Sequence, residues 1–204
     1  MAPDRRQPAE IARLLLGVNP VRRAIYVLGL APAGWYFYRG LTGQLGIDPQ
    51  NILERALGLW AMRFLVLSLA ITPLRQFGGP NLIRYRRAIG LLAFYYATLH
   101  LTVYMLLDKD LEVAAIVADV IRRPYVTLGM GAFVILVPLA ITSNATMIRT
   151  LGGMNWQRLH RLVYVAAIAG ALHFIMLVKA WLLEPLIYAA AVVVLLFLRL
   201  VRCR

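Results

Sequence analysis

The sequence predicts an all-α integral membrane protein, a six-transmembrane-helix bundle with N- and C-termini cytoplasmic. Three observations predict it. Of 204 residues, 61% are apolar and 15% charged, with a mean hydropathy of +0.72, whereas soluble domains lie near roughly 45–50% apolar and about 25% charged. Six apolar stretches, at 24–38, 56–74, 88–107, 125–142, 159–178 and 185–201, approach the roughly 20 residues that a spanning helix needs. Fifteen of the 22 Lys and Arg residues fall in the alternate segments that include both termini, and six fall in the others. That asymmetry places the termini inside. The division is a cytoplasmic segment at 1–23, one transmembrane domain at 24–201 and a cytoplasmic tail at 202–204.

The first stretch is the shortest and carries Pro32 and Gly34, which membrane helices tolerate where neighbours satisfy the freed backbone groups. Trp35, Tyr36 and Tyr38 sit near its outer end, as interfacial aromatics do. The second begins near Trp60 and carries Arg63. The third follows Tyr85 and the basic run Arg84, Arg86 and Arg87, and carries His100. The fourth, beginning at Tyr125, is followed by a loop that carries Arg149. The fifth starts near Trp156, has His160 at its cytoplasmic end and carries His173. The sixth contains Tyr188, with Trp181 before it. The net charge of +13 follows from this topology and from anionic lipid at the cytoplasmic face. Nucleic acid is not needed to explain it.

Ionisable groups within a bilayer are costly and point to function. His100 and His173 lie on separate helices, both roughly 8–11 Å below the outer boundary at 1.5 Å per residue. Two neutral imidazoles at one depth suit the two faces of a planar metal cofactor, and haem iron in a helical bundle is bound in this way. The alternative is that each histidine bonds a neighbouring helix. In a chain with three histidines, the matched depth favours ligation. His160 is thirteen residues before His173, about 20 Å lower and roughly 140° round the helix, so the two cannot share one iron. It serves a second, inner cofactor or is an interfacial residue. Arg63, roughly 10 Å below the outer start of its helix, either neutralises a haem propionate or snorkels outward. The basic inner face, with Arg149, Arg158 and Arg161, reads as topology or as a dock for a nucleotide, flavin or reductase. The single cysteine, Cys203, excludes a thiolate cluster and a C-x-x-C-H attachment. No H-E-x-x-H, G-x-S-x-G, Walker or dinucleotide motif is present, so hydride and flavin chemistry would lie on other chains.

The stretches LGLWAMRFLVLSLAITPLRQFGG, YRRAIGLLAFYYATLHLTVYMLLD and LAITSNATMIRTLGGMNWQRLHRLVYVAAIAGALHFIMLVK resemble the ferric-reductase-like transmembrane superfamily. Within it they resemble the haem-binding membrane subunits of bacterial methionine sulfoxide reductase systems. The paired patterns R-R-x-x-G-L…H and W-x-x-L-H-R-L-x-Y…H carry the likeness, which runs from about residue 20 to 200. It implies a multi-pass protein of the bacterial inner membrane holding haem b, in one or two copies. Electrons would come from the quinone pool or a cytoplasmic flavin reductase. They would leave to a periplasmic molybdopterin-containing methionine sulfoxide reductase, which repairs oxidised proteins. The family's histidines fall on His100, His160 and His173. FMN is associated with the family, although no flavin motif occurs here. Ferric reductases carry two histidines on each of two helices, but here Arg86 stands fourteen residues before His100, where the inner ligand is expected. The resulting expectation is a non-catalytic electron-transfer subunit. A stand-alone ferric or quinone reductase is the alternative, and a non-redox transporter is a weaker one.

Overall fold

The structure is a computed structural model that describes residues 20–177 and 183–201. Most of the segment at 1–23, together with Lys179, Trp181, Cys203 and the tail at 202–204, lies outside the described residues. Among the described residues the chain is helical and contains no strand. In order, the helices are α1 (Pro20–Leu41), α2 (Pro49–Gln76), α3 (Arg86–Val103), α4 (Val113–Arg122), α5 (Pro124–Ile141), α6 (Ala145–Leu151), α7 (Gly153–His160), α8 (Val163–Leu177) and α9 (Leu183–Val201). A 3-10 turn (Ile83–Tyr85) leads into α3, and a π-turn (Tyr104–Asp108) ends it.

Each of the six apolar stretches is largely helical where it is described. Among the described residues four runs are long and apolar enough to cross a membrane: Pro49–Gln76, Ile83–Asp108, Pro124–Ile141 and Gly153–Leu177. Their outward faces carry exposed Val134, Ile141, Ile168 and Leu172. A surface this apolar is satisfied by lipid rather than water.

Helix α2 begins a full two turns before the apolar stretch. Asp48 caps it, accepting from the Asn51 N–H at 3.2 Å, and an N-cap carboxylate satisfies a donor the first turn leaves open. Helix α1 runs through Pro32 because α3 repairs the damage. The Tyr96 hydroxyl accepts from the Ala33 N–H at 3.0 Å and donates to the Gly29 carbonyl at 2.7 Å. It therefore stands in for the helical bond between those two groups, beside the residue that has no N–H of its own.

Helix α2 packs mainly on α3, and α5 mainly on α8. In the second pair Ala166, Ala167 and Ala171 are buried, and small side chains let membrane helices approach closely. Helix α9 closes the bundle against α8 and α2. Arg199 turns inward from it, donating to the Tyr164 hydroxyl at 2.8 Å and the Leu69 carbonyl at 2.6 Å. That residue counts toward the cytoplasmic charge in the sequence, but its guanidinium is a buried tie between three helices.

Two local features depart from the sequence reading. The expected outer loop contains α4, an amphipathic helix with Ile116 buried and Val113, Val117 and Ile121 exposed. The fifth stretch is not one continuous helix: α7 ends at His160, and a turn at Arg161 and Leu162 precedes α8. There the Leu162 N–H bonds the Leu159 carbonyl and the Tyr164 N–H bonds the Arg161 carbonyl, a 3-10 tightening of the run.

Candidate functional site

His100 lies in the last turn of α3 and His173 in the last turns of α8. Their rings face each other with centroids 6.3 Å apart and planes at 74°. The Nδ1 atom of His100 is 2.9 Å from the Glu54 carbonyl oxygen on α2. The Nδ1 atom of His173 is 2.6 Å from the Tyr125 carbonyl oxygen on α5. A carbonyl only accepts, so each Nδ1 donates to it, which leaves the Nε2 lone pair for a ligand. Each imidazole is therefore oriented by the helix that packs against its own.

Both histidines line a cavity of about 390 Å³ between α2, α3, α5 and α8. One end is apolar, with Leu65, Ala93, Phe133 and Leu136. The other is polar, with Glu54, Arg55, Tyr104, Asp108, Asp119 and Arg123. The volume and the mixed lining fall in the range of small-molecule and cofactor sites.

The donor set fits a haem. Two metal–imidazole bonds of about 2 Å in line, with each ring centroid roughly 1 Å beyond its nitrogen, need a centroid separation of about 6 Å. Among the described residues no three His, Cys, Asp or Glu side chains converge, so two imidazoles suit a metal that brings its remaining donors with it.

A knot of charge closes the polar end. Lys109 lies 2.8 Å from Asp119 and 3.0 Å from Asp108, and Arg123 lies 3.3 Å from Asp119. The Tyr104 hydroxyl donates to Asp119 at 3.2 Å. The π-turn brings Lys109 there, its N–H bonding the Tyr104 carbonyl five residues back. The hydrogen bond from Lys109 holds the Asp119 carboxyl below its ordinary 3.8, and Asp119 and then Asp108 hold Lys109 above its ordinary 10.5.

The other two sequence candidates lie elsewhere. The His160 Nε2 is 3.0 Å from the Thr142 hydroxyl, and its ring stacks on Trp156 at 3.9 Å. Trp156 in turn donates to the Thr142 carbonyl at 2.8 Å. His160 does not line the cavity and here pins α7 to the end of α5. Arg86, which stands where an inner ligand opposite His160 would be expected, donates to the Thr72 hydroxyl at 3.4 Å. Arg63 does not line the cavity either. Its Nε donates to Tyr188 on α9 at 3.1 Å, and its guanidinium lies 4.7 Å from the Trp60 ring centroid. It is five residues past the cavity-facing Gly58, roughly 140° round α2, while Arg55 is three residues before it, roughly 60° away. Among the described residues the cations that line the cavity are Arg55 and Arg123, both counted in the sequence only as topology.

The reading from sequence also missed both carbonyl acceptors and two glycines beneath the rings, Gly58 and Gly129. A glycine inside an apolar helical pattern signals close approach, and both positions carried that signal.

The ferric reductase like transmembrane component family matches residues 57–171. This span includes Gly58, His100, Gly129 and His160, and ends two residues before His173. Proteins named protein-methionine-sulfoxide reductase heme-binding subunit MsrQ from Brucella ovis, Brucella canis and Brucella suis are each 55% identical to this chain over 178 residues. The match covers 87% of this chain and 80% of each relative.

Proposed function

Because the chain belongs to the ferric-reductase-like transmembrane family, and within it to the MsrQ subunits, we propose that it carries electrons across a membrane through a b-type haem held by His100 and His173. The opposed imidazoles, 6.3 Å apart with each Nδ1 tied to a backbone carbonyl, carry this reading. A haem held by these two imidazoles would supply a one-electron couple, which suits the site to electron transfer rather than to activating a substrate. The chain's own contributions are separate and local. Glu54 and Tyr125 hold the Nδ1 protons, the apolar lining excludes water, and Arg55 and Arg123 place positive charge at the polar end.

The proposed topology has six spans, α1 and α9 joining the four long runs, with both termini cytoplasmic in a bacterial inner membrane. The haem then lies near the outer face, where electrons pass to a periplasmic molybdopterin-containing methionine sulfoxide reductase. The basic face with Arg84, Arg87, Arg158 and Arg161 is the entry side for the quinone pool or a cytoplasmic flavin reductase, whose FMN would remain on the donor. His160 belongs to that entry side.

The family name favours one rival, a stand-alone ferric reductase. The test follows the reduced α band in membranes after adding the periplasmic reductase with methionine sulfoxide. Rapid reoxidation that needs both additions is expected. Reoxidation by ferric chelates alone, with none through the partner, would establish the rival instead.

A further inference from the structure

We propose that Gly58 and Gly129 are positioning residues that set the rotation of the two imidazoles, each through the histidine that fills the space left by the missing side chain. The proposal rests on reading His100 and His173 as haem ligands.

The two cradles share one design. On α2 the carbonyl of Glu54 receives His100 Nδ1, and Gly58 stands four residues later. On α5 the carbonyl of Tyr125 receives His173 Nδ1, and Gly129 again stands four residues later. Residues four apart share one helix face, so any side chain at the second position overhangs the carbonyl of the first. A Cβ at Gly58 would lie 3.1 Å from His100 Nδ1, and one at Gly129 would lie 2.8 Å from His173 Nδ1. The atom displaced in each case is the one making the hydrogen bond. The carbonyl has a second lone pair beside the one used by its own helix, and only glycine leaves that lone pair open to a ring from outside. Glycine is unfavourable in a helix interior relative to alanine. At Gly90 on α3 and Gly131 on α5 an added Cβ would meet nothing within 4 Å, so those two glycines have no such contact.

Ring rotation has a direct readout, because the EPR signal of oxidised low-spin haem depends on the angle between its two imidazole planes. The test uses the full chain in detergent or nanodiscs, with Gly58→Ala, Gly129→Ala and the control Gly131→Ala. Haem-to-protein ratio, EPR and thermal unfolding are measured on each. Losing an outer-shell contact to a metal ligand costs roughly 10–100-fold in affinity. Gly129→Ala is expected to lose roughly tenfold or more in haem affinity and to shift the EPR signal. Gly58→Ala, with the longer contact, is expected to shift the signal with a smaller loss, and Gly131→Ala to match the parent. If Gly129→Ala does not fold, Gly58→Ala decides by its EPR shift. Parent-like EPR and haem affinity in the cradle variants, or equal changes in Gly131→Ala, would overturn the glycine assignment alone. If the parent binds no haem, or His100→Ala and His173→Ala keep its signal, the ligand reading fails and takes this assignment with it.

Discussion

The His173 ring stands 6.3 Å from the His100 ring and is turned 74° against it. The two come from different helix pairs. His100 is on α3 and is oriented by α2; His173 is on α8 and is oriented by α5. The tightly packed pairs, α2 with α3 and α5 with α8, thus each deliver one imidazole already locked by its partner helix. The separation between the rings is set by packing of the whole bundle rather than by any loop.

Tyr96 is not among the residues that line the cavity and should prove structural. Tyr96→Phe removes the hydroxyl that serves both Gly29 and Ala33 at the proline of α1, stranding two buried backbone groups. The expected loss is about 2–4 kcal/mol, read as thermal or denaturant unfolding, with the visible spectrum of the folded fraction unchanged.

The knot around Asp119 predicts a pH window. The folded pKa of Asp119 lies below its ordinary 3.8, so its contribution is present above about 4 and is lost as the pH falls through the folded value. The folded pKa of Lys109 lies above 10.5, so its contribution is full below about 10 and is lost as the pH rises through the folded value. Asp119→Asn should lower stability by roughly 1 kcal/mol between those limits. It should also flatten the acid limb of a melting-temperature profile.

Charge at the cavity should tune the potential. Removing a cation near the iron favours the oxidised, more positive state. Arg55→Gln and Arg123→Gln should each move the midpoint to more negative values by roughly 40 mV. Arg63→Gln, whose side chain points to Trp60 and Tyr188, should shift it far less. A spectroelectrochemical titration of the three variants checks the order.

His160 lies on α7, outside the lining of the cavity. His160→Leu removes the Thr142 hydrogen bond and the stack on Trp156, so stability should fall by roughly 1 kcal/mol. The low-spin EPR signal of the His100–His173 site should persist unaltered.

What could be read from sequence follows from what lipid and helical rise impose. A membrane helix must be apolar over its length, so the six stretches stand out, and a fixed rise puts His100 and His173 at one depth. Depth does not fix the face. Arg63 and Arg55 differ by eight residues on one helix, and only the rotation of α2 against α3 decides that Arg55 reaches the cavity. The acceptors for the histidines are backbone carbonyls, which no residue type announces. Helix α4 has ten residues, too few to stand out between two long apolar runs. The turn at Arg161 and Leu162 sits in a stretch whose composition suits a helix, and His160 Nε2 meets Thr142 only because of where α7 packs.

The most direct measurement is haem content by pyridine haemochromogen, with low-temperature EPR, on the parent protein, His100→Ala and His173→Ala, all shown to be folded. A low-spin b-type signal is expected in the parent and is expected to disappear in both variants. An undiminished low-spin signal in either variant would contradict ligation by His100 and His173.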